Sequence, residues 1–287
     1  SRGDLSRADR ERAQHALALD FLKAGLLDRA EDALRRLEGT PFEAQARMAL
    51  LAIYERSRDW AQASDIAQRM QASSQGDFST RQAHYLCEQA LPLAARGELQ
   101  AAQALLERAV ATAPQAPRAR IEMARLQQRM GRPDAALATL QALADSAPAA
   151  LALAAPLLVE TALASGRAQQ AGALLQQHYQ DMPSLDLLEA IVSLQTATDG
   201  APGAGREWYV RHLDKEPSLV AATKWLADET LGHEQFHLQI QRALEQAAKP
   251  LTRYRCAACG FEARQHFWQC PGCQTWDSYP ARRVEEL

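Results

Sequence analysis

The sequence has few aromatic residues and no long run of β-branched residues: Phe, Trp and Tyr make up 6 % of its 287 residues. Its apolar content of 47 % comes mainly from Ala and Leu, which favour helix over strand. The composition therefore argues against a β-rich fold and predicts an all-α chain.

Neither sign of charge dominates, because 32 Lys and Arg stand against 35 Asp and Glu and give a formal net charge of −3. The overall charge therefore gives no attraction to nucleic acid or to an anionic membrane. The most apolar segment, residues 151–163, is interrupted by Pro156 and Glu160. We therefore expect no apolar stretch of about 18 residues that crosses a membrane, and a soluble chain.

Motifs for catalysis are also missing. The sequence contains no glycine-rich phosphate loop and no GxSxG nucleophile elbow. One HExxH match, His233 to His237, has Ile240 and Ala243 where the extended zinc motif needs Gly and His. We interpret this match as coincidence and expect no enzymatic activity.

Four of the five cysteines form two CxxC pairs separated by ten residues. This spacing predicts one metal ion per chain in a tetrahedral four-thiolate site, whose ligands are Cys256, Cys259, Cys270 and Cys273. Iron and zinc both accept such a site. Four thiolate ligands leave no open coordination position, which favours a structural or electron-transfer role over activation of a metal-bound water. Two disulfides are the alternative, but there is no secretion signal and the fifth cysteine, Cys87, lies in a helical stretch.

A repeat of 34 or 35 residues runs through the middle of the chain. Alanine stands five residues and leucine nine residues after the first three of four turn glycines. Each glycine is followed by a proline seventeen residues later: Gly97, Gly131, Gly166 and Gly200, with Pro114, Pro148, Pro183 and Pro217. This is the tetratricopeptide repeat (TPR) arrangement, in which Gly opens the turn between helices A and B and the small Ala lets helices approach closely.

Two earlier copies of the repeat have Gly25 and Arg58 at the turn position. We expect a longer loop near residues 73–80 and a loose turn at 200–205, where Gly205 replaces the alanine of the repeat. A last helical pair, near residues 218–230 and 233–248, is predicted to cap the array.

Stacked repeats predict a curved superhelix whose A helices line the inner face, a surface that binds partners. In the repeat that begins near Pro117, the inward positions include Arg118, Arg125 and Arg129. Three arginines on one face can receive acidic side chains or a peptide carboxylate by bidentate pairing. The alternative is an ordinary solvated helix face.

TPR repeats that run directly into two aromatic-flanked knuckles, residues 254–261 and 267–276, resemble the lipopolysaccharide assembly protein B (LapB) family, which has a rubredoxin-type C-terminal domain. Residues 25–32 and the repeat around Trp60 are also similar to that family. Gln274 follows the second pair where rubredoxins usually carry Gly, which favours a structural site over electron transfer. The zinc finger of RadA-type repair ATPases is similar to these knuckles, but in those proteins it precedes a phosphate-binding loop, which this sequence does not contain.

The resemblance implies a non-enzymatic adaptor at the cytoplasmic face of the inner membrane. Members of the family promote degradation of the deacetylase LpxC by the membrane protease FtsH, which limits lipopolysaccharide synthesis, and a PbgA/YejM-like membrane protein is expected to restrain them. An N-terminal helix holds such proteins to the membrane. The sequence begins at Ser1 without that helix, so we expect it to be the cytoplasmic portion of a longer protein.

Two domains are predicted: a TPR array with capping helices over residues 1–248, and a rubredoxin-like or zinc-ribbon metal domain over 249–287. The connection at residues 249–251 is short, and six aromatic residues crowd 254–279. We therefore expect the ribbon to dock on the last repeats, with an exposed aromatic partner site as the alternative. A ribbon that binds nucleic acid or another protein client is the rival function. Six Lys and Arg are interspersed with four Asp and Glu in this part, so we expect no nucleic acid.

Overall fold

The computed structural model describes residues 6–200, 204–227 and 234–287, and this part of the chain is mostly helical. Its helices, numbered in chain order, are α1 Arg7–Lys23, α2 Leu27–Arg35, α3 Glu43–Ser57, α4 Trp60–Ala72, α5 Ser79–Ala95, α6 Leu99–Thr112, α7 Pro117–Arg129, α8 Pro133–Ser146, α9 Leu151–Ser165, α10 Ala168–Asp181, α11 Leu185–Asp199, α12 Arg206–Leu213, α13 Leu219–Ala227 and α14 Glu234–Ala248. Short 3₁₀ turns lie at Pro148–Ala150 and Val284–Glu286.

The helices follow one another in pairs, as the repeat predicts. Every predicted turn glycine has a left-handed backbone, with φ between +64° and +86°. Arg58 adopts the same conformation at φ +58°, which confirms its place at the turn position of the second repeat. The expected loop before α5 is present between Ala72 and Ser79. Residues 201–203, in the turn expected to be loose, lie outside the described residues.

Small side chains let the helices of each repeat meet. The alanine five residues after each turn is fully buried in five repeats: Ala30, Ala63, Ala102, Ala136 and Ala171. The leucines of the repeat, such as Leu106 and Leu140, are buried beside them. In the sixth copy a Cβ on Gly205 would stand 3.2 Å from the Cα of Val192, so glycine replaces alanine where the backbone of α11 lies close by.

The chain divides into two compact units, Ser1–Ala119 and Arg120–Leu287. In the first unit, consecutive helices from α1 to α6 pack on one another around a buried core that includes Leu34, Leu51 and Tyr85. In the second unit, α8 to α14 pack in the same consecutive way. The ribbon belongs to this second unit, and the domain boundary expected at residue 248 stays a prediction.

One helix corrects an expectation from the sequence. Residues 148–165 are long and apolar enough to cross a membrane by length and composition, with a mean hydropathy of 1.5. Pro156 and Glu160 do not lower the hydropathy of this window enough to exclude it. More than half of the segment is buried inside the protein, where Leu151 and Leu158 are fully covered by neighbouring helices. Its apolar surface therefore forms the core of the second unit.

The ribbon after α14 is built from two small loops. Strand β1, Tyr254–Arg255, pairs antiparallel with β2, Glu262–Ala263, and closes the first loop. An isolated antiparallel bridge between Gln269 and Trp276 closes the second. All-α repeats followed by a small ribbon confirm the predicted fold class.

Arg58 provides a test of the repeat register. A left-handed backbone costs a residue with a Cβ about 1–2 kcal/mol, partly offset by the greater unfolded-state freedom of glycine. We expect Arg58→Gly to raise the free energy of unfolding by about 0.5–1 kcal/mol in urea denaturation of the full chain.

Gly97→Ala is the matched control, because a Cβ there meets no atom within 4 Å and only the backbone cost is added. This variant should be less stable than the parent by about 1 kcal/mol. An Arg58→Gly chain that is less stable than the parent contradicts the assignment of Arg58 to the turn.

Candidate metal centre

The four cysteine sulfurs converge at the tips of the two ribbon loops. All four Sγ atoms lie within 4.8 Å of one another. The Sγ atoms of Cys256 and Cys273 are 3.8 Å apart, and those of Cys259 and Cys270 are 3.7 Å apart. Four thiolates at about 2.3 Å from one ion stand about 3.8 Å from each other in a tetrahedron. A disulfide needs about 2.05 Å, so the spacing fits a shared ion and not two S–S bonds.

The two loops are built alike. In the first, the amide of Cys256 donates to the carbonyl of Phe261, and the amide of Gly260 donates back to the carbonyl of Cys256. In the second, Cys270 donates to Thr275, and Gln274 donates back to Cys270. Each loop therefore turns its two sulfurs toward the same point by the same pair of backbone hydrogen bonds.

Gln274 takes the conformation that Gly260 takes in the first loop. The φ angles are +61° for Gln274 and +77° for Gly260. The side-chain amide of Gln274 donates to the carbonyl of Pro271, a contact that glycine lacks. The departure from the rubredoxin pattern thus keeps the backbone path of the knuckle.

Hydroxyl groups and amides surround the sulfurs. The hydroxyl of Ser278 lies 3.2 Å from the Sγ of Cys256, and that of Thr275 lies 3.2 Å from the Sγ of Cys273. Burial raises the pKa of Cys256, but hydrogen bonds from Ser278 and from backbone amides outweigh it and lower the pKa to about 6. Hydrogen bonds from Thr275 lower the pKa of Cys273. These contacts favour the thiolate form that a metal requires.

The pKa of Cys259 shifts in the opposite direction. The amide of Phe261 lowers the pKa of Cys259, but partial desolvation and hydrogen bonds with the other three sulfurs raise it to about 12 overall. Four thiolates in one place repel each other, so a cation is needed for all of them to lose their protons. The donor set therefore fits a divalent or trivalent metal ion.

The site is half covered by protein. Cys256 and Cys270 are buried, whereas Cys259 and Cys273 are exposed. Four protein sulfurs complete a tetrahedron and leave no position for a metal-bound water. Within the described residues, no other group of three or more His, Cys, Asp or Glu side chains brings its ligand atoms together in this way. The HExxH segment begins at His233, which lies outside the described residues.

The ribbon docks on the last repeats through a buried carboxylate. Asp186, in the first turn of α11, is 7 % exposed. The phenol of Tyr254 donates to it at 3.0 Å, and Arg283 donates through Nη2 at 2.5 Å and through Nε at 3.1 Å. The guanidinium also lies 4.3 Å from the centre of the Tyr254 ring. Burial, followed by the Asp186 charge, raises the pKa of Tyr254, which stays a neutral donor.

Two further carboxylates of residues 283–286, which we call the tail segment, cap repeat helices. Glu285 accepts from the amides of Leu219 and Val220 and from the hydroxyl of Ser218, at the start of α13. Glu286 accepts from the amide of Leu185 at the start of α11. Carboxylates at helix N-termini satisfy open amides and complement the helix dipole.

Apolar contacts also join the ribbon to the last repeats and confirm the expected docking. Trp268 and Leu251 pack against the core of the second unit, and Leu153 of α9 packs against the buried ribbon residues. Phe261 remains 44 % exposed. Asp186 and the tail segment were not predicted from the sequence. The only sequence signal for the tail segment is an arginine and two glutamates close together after the ribbon.

The three arginines predicted to bind a partner have different surroundings. Arg118 is 5 % exposed and pairs with Glu88 at 2.6 Å, so it does not form the expected accessible surface. The prediction was wrong for this residue because the Arg118 side chain is enclosed in the repeat, where it pairs with Glu88 of α5. Arg125 is exposed and stands 3.6 Å from Glu122, and Arg129 is exposed.

Comparisons with known proteins match both parts of the chain. The profile of the rubredoxin metal binding domain matches residues 254–279, and that of the tetratricopeptide repeat matches residues 93–158. Lipopolysaccharide assembly protein B of Escherichia coli K12 is 27 % identical over 279 residues, which cover 94 % of this chain and 71 % of that protein. The chain is similar to lipopolysaccharide assembly protein B over nearly its whole length. The expected resemblance is thereby confirmed.

The likeness to LapB extends to a second organism. The Haemophilus influenzae protein of the same name is 24 % identical over 293 residues, which cover 93 % of this chain and 68 % of that protein. Among solved structures, a tetratricopeptide repeat protein from Parabacteroides merdae has a TM-score of 0.40 at 15 % identity, and the match covers 82 % of this chain and 92 % of that one.

Proposed function

We propose that this chain is a non-enzymatic adaptor in lipopolysaccharide assembly, in which helical repeats bind protein partners and a metal-bound ribbon stabilises the last repeats. The observation that carries the proposal is similarity to LapB over 94 % of the chain, through both the repeats and the ribbon. The closed four-sulfur cluster supports a structural site, since it offers no open coordination position.

The partners we propose are an FtsH-type membrane protease and the deacetylase LpxC, which the adaptor brings together so that the deacetylase is degraded. A PbgA/YejM-like membrane protein would restrain this activity. The location we propose is the cytoplasmic face of the inner membrane. These partners and this location come from the resemblance to the LapB family.

One iron or zinc ion per chain is proposed for the four-cysteine cluster. Elemental analysis of protein purified without added metal should give a stoichiometry near one, and Cys256→Ser should reduce it several-fold because one thiolate ligand is lost. Cys87→Ala is the control, since Cys87 is buried in α5 away from the ribbon sequence and should leave the metal content unchanged. A stoichiometry well below one in the parent, with all four ribbon thiols open to titration, contradicts the proposal.

Arg125 and Arg129 are proposed to contact an acidic partner surface. Reversing both charges, in Arg125→Glu with Arg129→Glu, should weaken capture of the protease or deacetylase from a Gram-negative lysate about tenfold at low salt. Each exposed pair contributes about 0.2–1 kcal/mol, and salt should reduce the difference.

Arg167→Glu is the matched control for this test. Its side chain is 58 % exposed and lies 3.6 Å from Asp134, whereas that of Arg125 is 56 % exposed and lies 3.6 Å from Glu122. Equal capture by the double variant and by the control would show that the two arginines form only a solvated helix face. Capture of RNA in place of either protein would contradict the adaptor function itself.

A further inference from the structure

The tail segment lies between the repeat helices and residues 251–254, which lead into the ribbon. Its backbone is held by two hydrogen bonds, from the amide of Val284 to the carbonyl of Arg253 and from the amide of Glu285 to the carbonyl of Leu251. Its three charged side chains each reach a different receiving group on the second unit. The contacts therefore define what kind of peptide this surface recognises.

The first receiving group is an arginine slot. Asp186 accepts two guanidinium nitrogens of Arg283, the carbonyl of Thr252 accepts a third at 2.6 Å, and the ring of Tyr254 lies against the guanidinium. A carboxylate, a carbonyl and an aromatic face together match the planar fork of arginine, whereas lysine fits such a site less well.

The other receiving groups are two carboxylate sites. The start of α13 offers the amides of Leu219 and Val220 and the Ser218 hydroxyl to Glu285 at 2.6–3.2 Å. The start of α11 offers the amide of Leu185 to Glu286 at 2.8 Å. Together with the arginine slot, they select a basic residue followed two and three positions later by acidic residues.

The surface beside the tail segment is open to an incoming chain. A cavity of about 240 Å³, lined by Asp186, Lys224, Thr252 and other residues, adjoins Arg283 on one side. A second cavity, of about 310 Å³, lies beside residues 280–282 and is lined mainly by apolar side chains of α9, α11 and the loop before α11. The tail segment itself is partly exposed, and Leu287 is 60 % exposed.

We infer that this surface is a peptide-binding site that the tail segment occupies within its own chain, and that a partner segment with an arginine followed at the second and third positions by Glu or Asp competes for it. The charge complementarity of the three receiving groups identifies this partner. The tail segment then regulates access to the site, because a partner binds only when its own arginine replaces Arg283 against Asp186. This site is separate from the surface proposed at Arg125 and Arg129.

The test is binding of a peptide in trans to the full chain. The probe is a fluorescent peptide with the sequence of residues 280–287, followed by anisotropy. Arg283→Ala vacates the arginine slot and should bind the peptide at least tenfold more tightly than the parent does. Arg264→Ala is the matched control, because Arg264 is an exposed arginine of the ribbon that lines neither cavity and should leave peptide binding at the level of the parent.

A second peptide checks the chemistry of recognition. It carries Ala in place of the arginine at 283 and Gln in place of both glutamates, and it should bind the Arg283→Ala chain at least tenfold more weakly than the first peptide. Equal binding of both peptides, or no binding of either to an Arg283→Ala chain with unchanged circular dichroism, overturns the proposal.

The parent chain keeps the test valid if the variant does not fold. An excess of the first peptide, but not of the second, should raise amide hydrogen exchange at Val284 and Glu285 in the unaltered protein, because the tail segment is displaced. Unchanged exchange at saturating peptide overturns the proposal. Dimers of the parent chain that the first peptide dissociates would assign the site to tail exchange between copies and overturn the proposed partner.

Discussion

Asp186 places a buried carboxylate where the ribbon, the tail segment and the repeats meet. A carboxylate at 7 % exposure is tolerated only when it is paired and hydrogen-bonded, and here the pairing comes from Arg283 and Tyr254. Removing one partner of such a pair costs about 3–5 kcal/mol, because the remaining charge stays buried. The position of the ribbon on α11 is therefore fixed by the Asp186 carboxylate, which needs both partners to remain buried as a charged group.

Along the chain, the sulfur cluster lies between Tyr254 and Arg283, the two partners of Asp186. Tyr254 leads directly into the first knuckle, and Ser278, which contacts the Sγ of Cys256, comes shortly before the tail segment. The ribbon is too small to form an adequate core by itself, and the buried residues around its sulfurs are few. A bound ion would hold both ends of the ribbon and so align Tyr254 and Arg283 on the same carboxylate.

Features encoded in short patterns could be predicted from the sequence. The turn glycines, the buried alanines and the CxxC pairs each follow from a local rule, and even Arg58 was identified by its place in the period. The contact between Arg283 and Asp186 could not be predicted, because the two residues are 97 positions apart and each reads locally as a surface charge. The burial of Arg118 against Glu88 escaped prediction for the same reason.

Hydrogen exchange with and without the metal tests most directly whether the ribbon and the last repeats form one cooperative structure. The full chain is compared before and after removal of the ion with a chelator under reducing conditions, and again after zinc is restored. We predict faster exchange in α11 and α13, whose first amides the tail segment caps, and unchanged exchange in α3 of the first unit. Unchanged exchange in α11 and α13 after the metal has left would contradict the account.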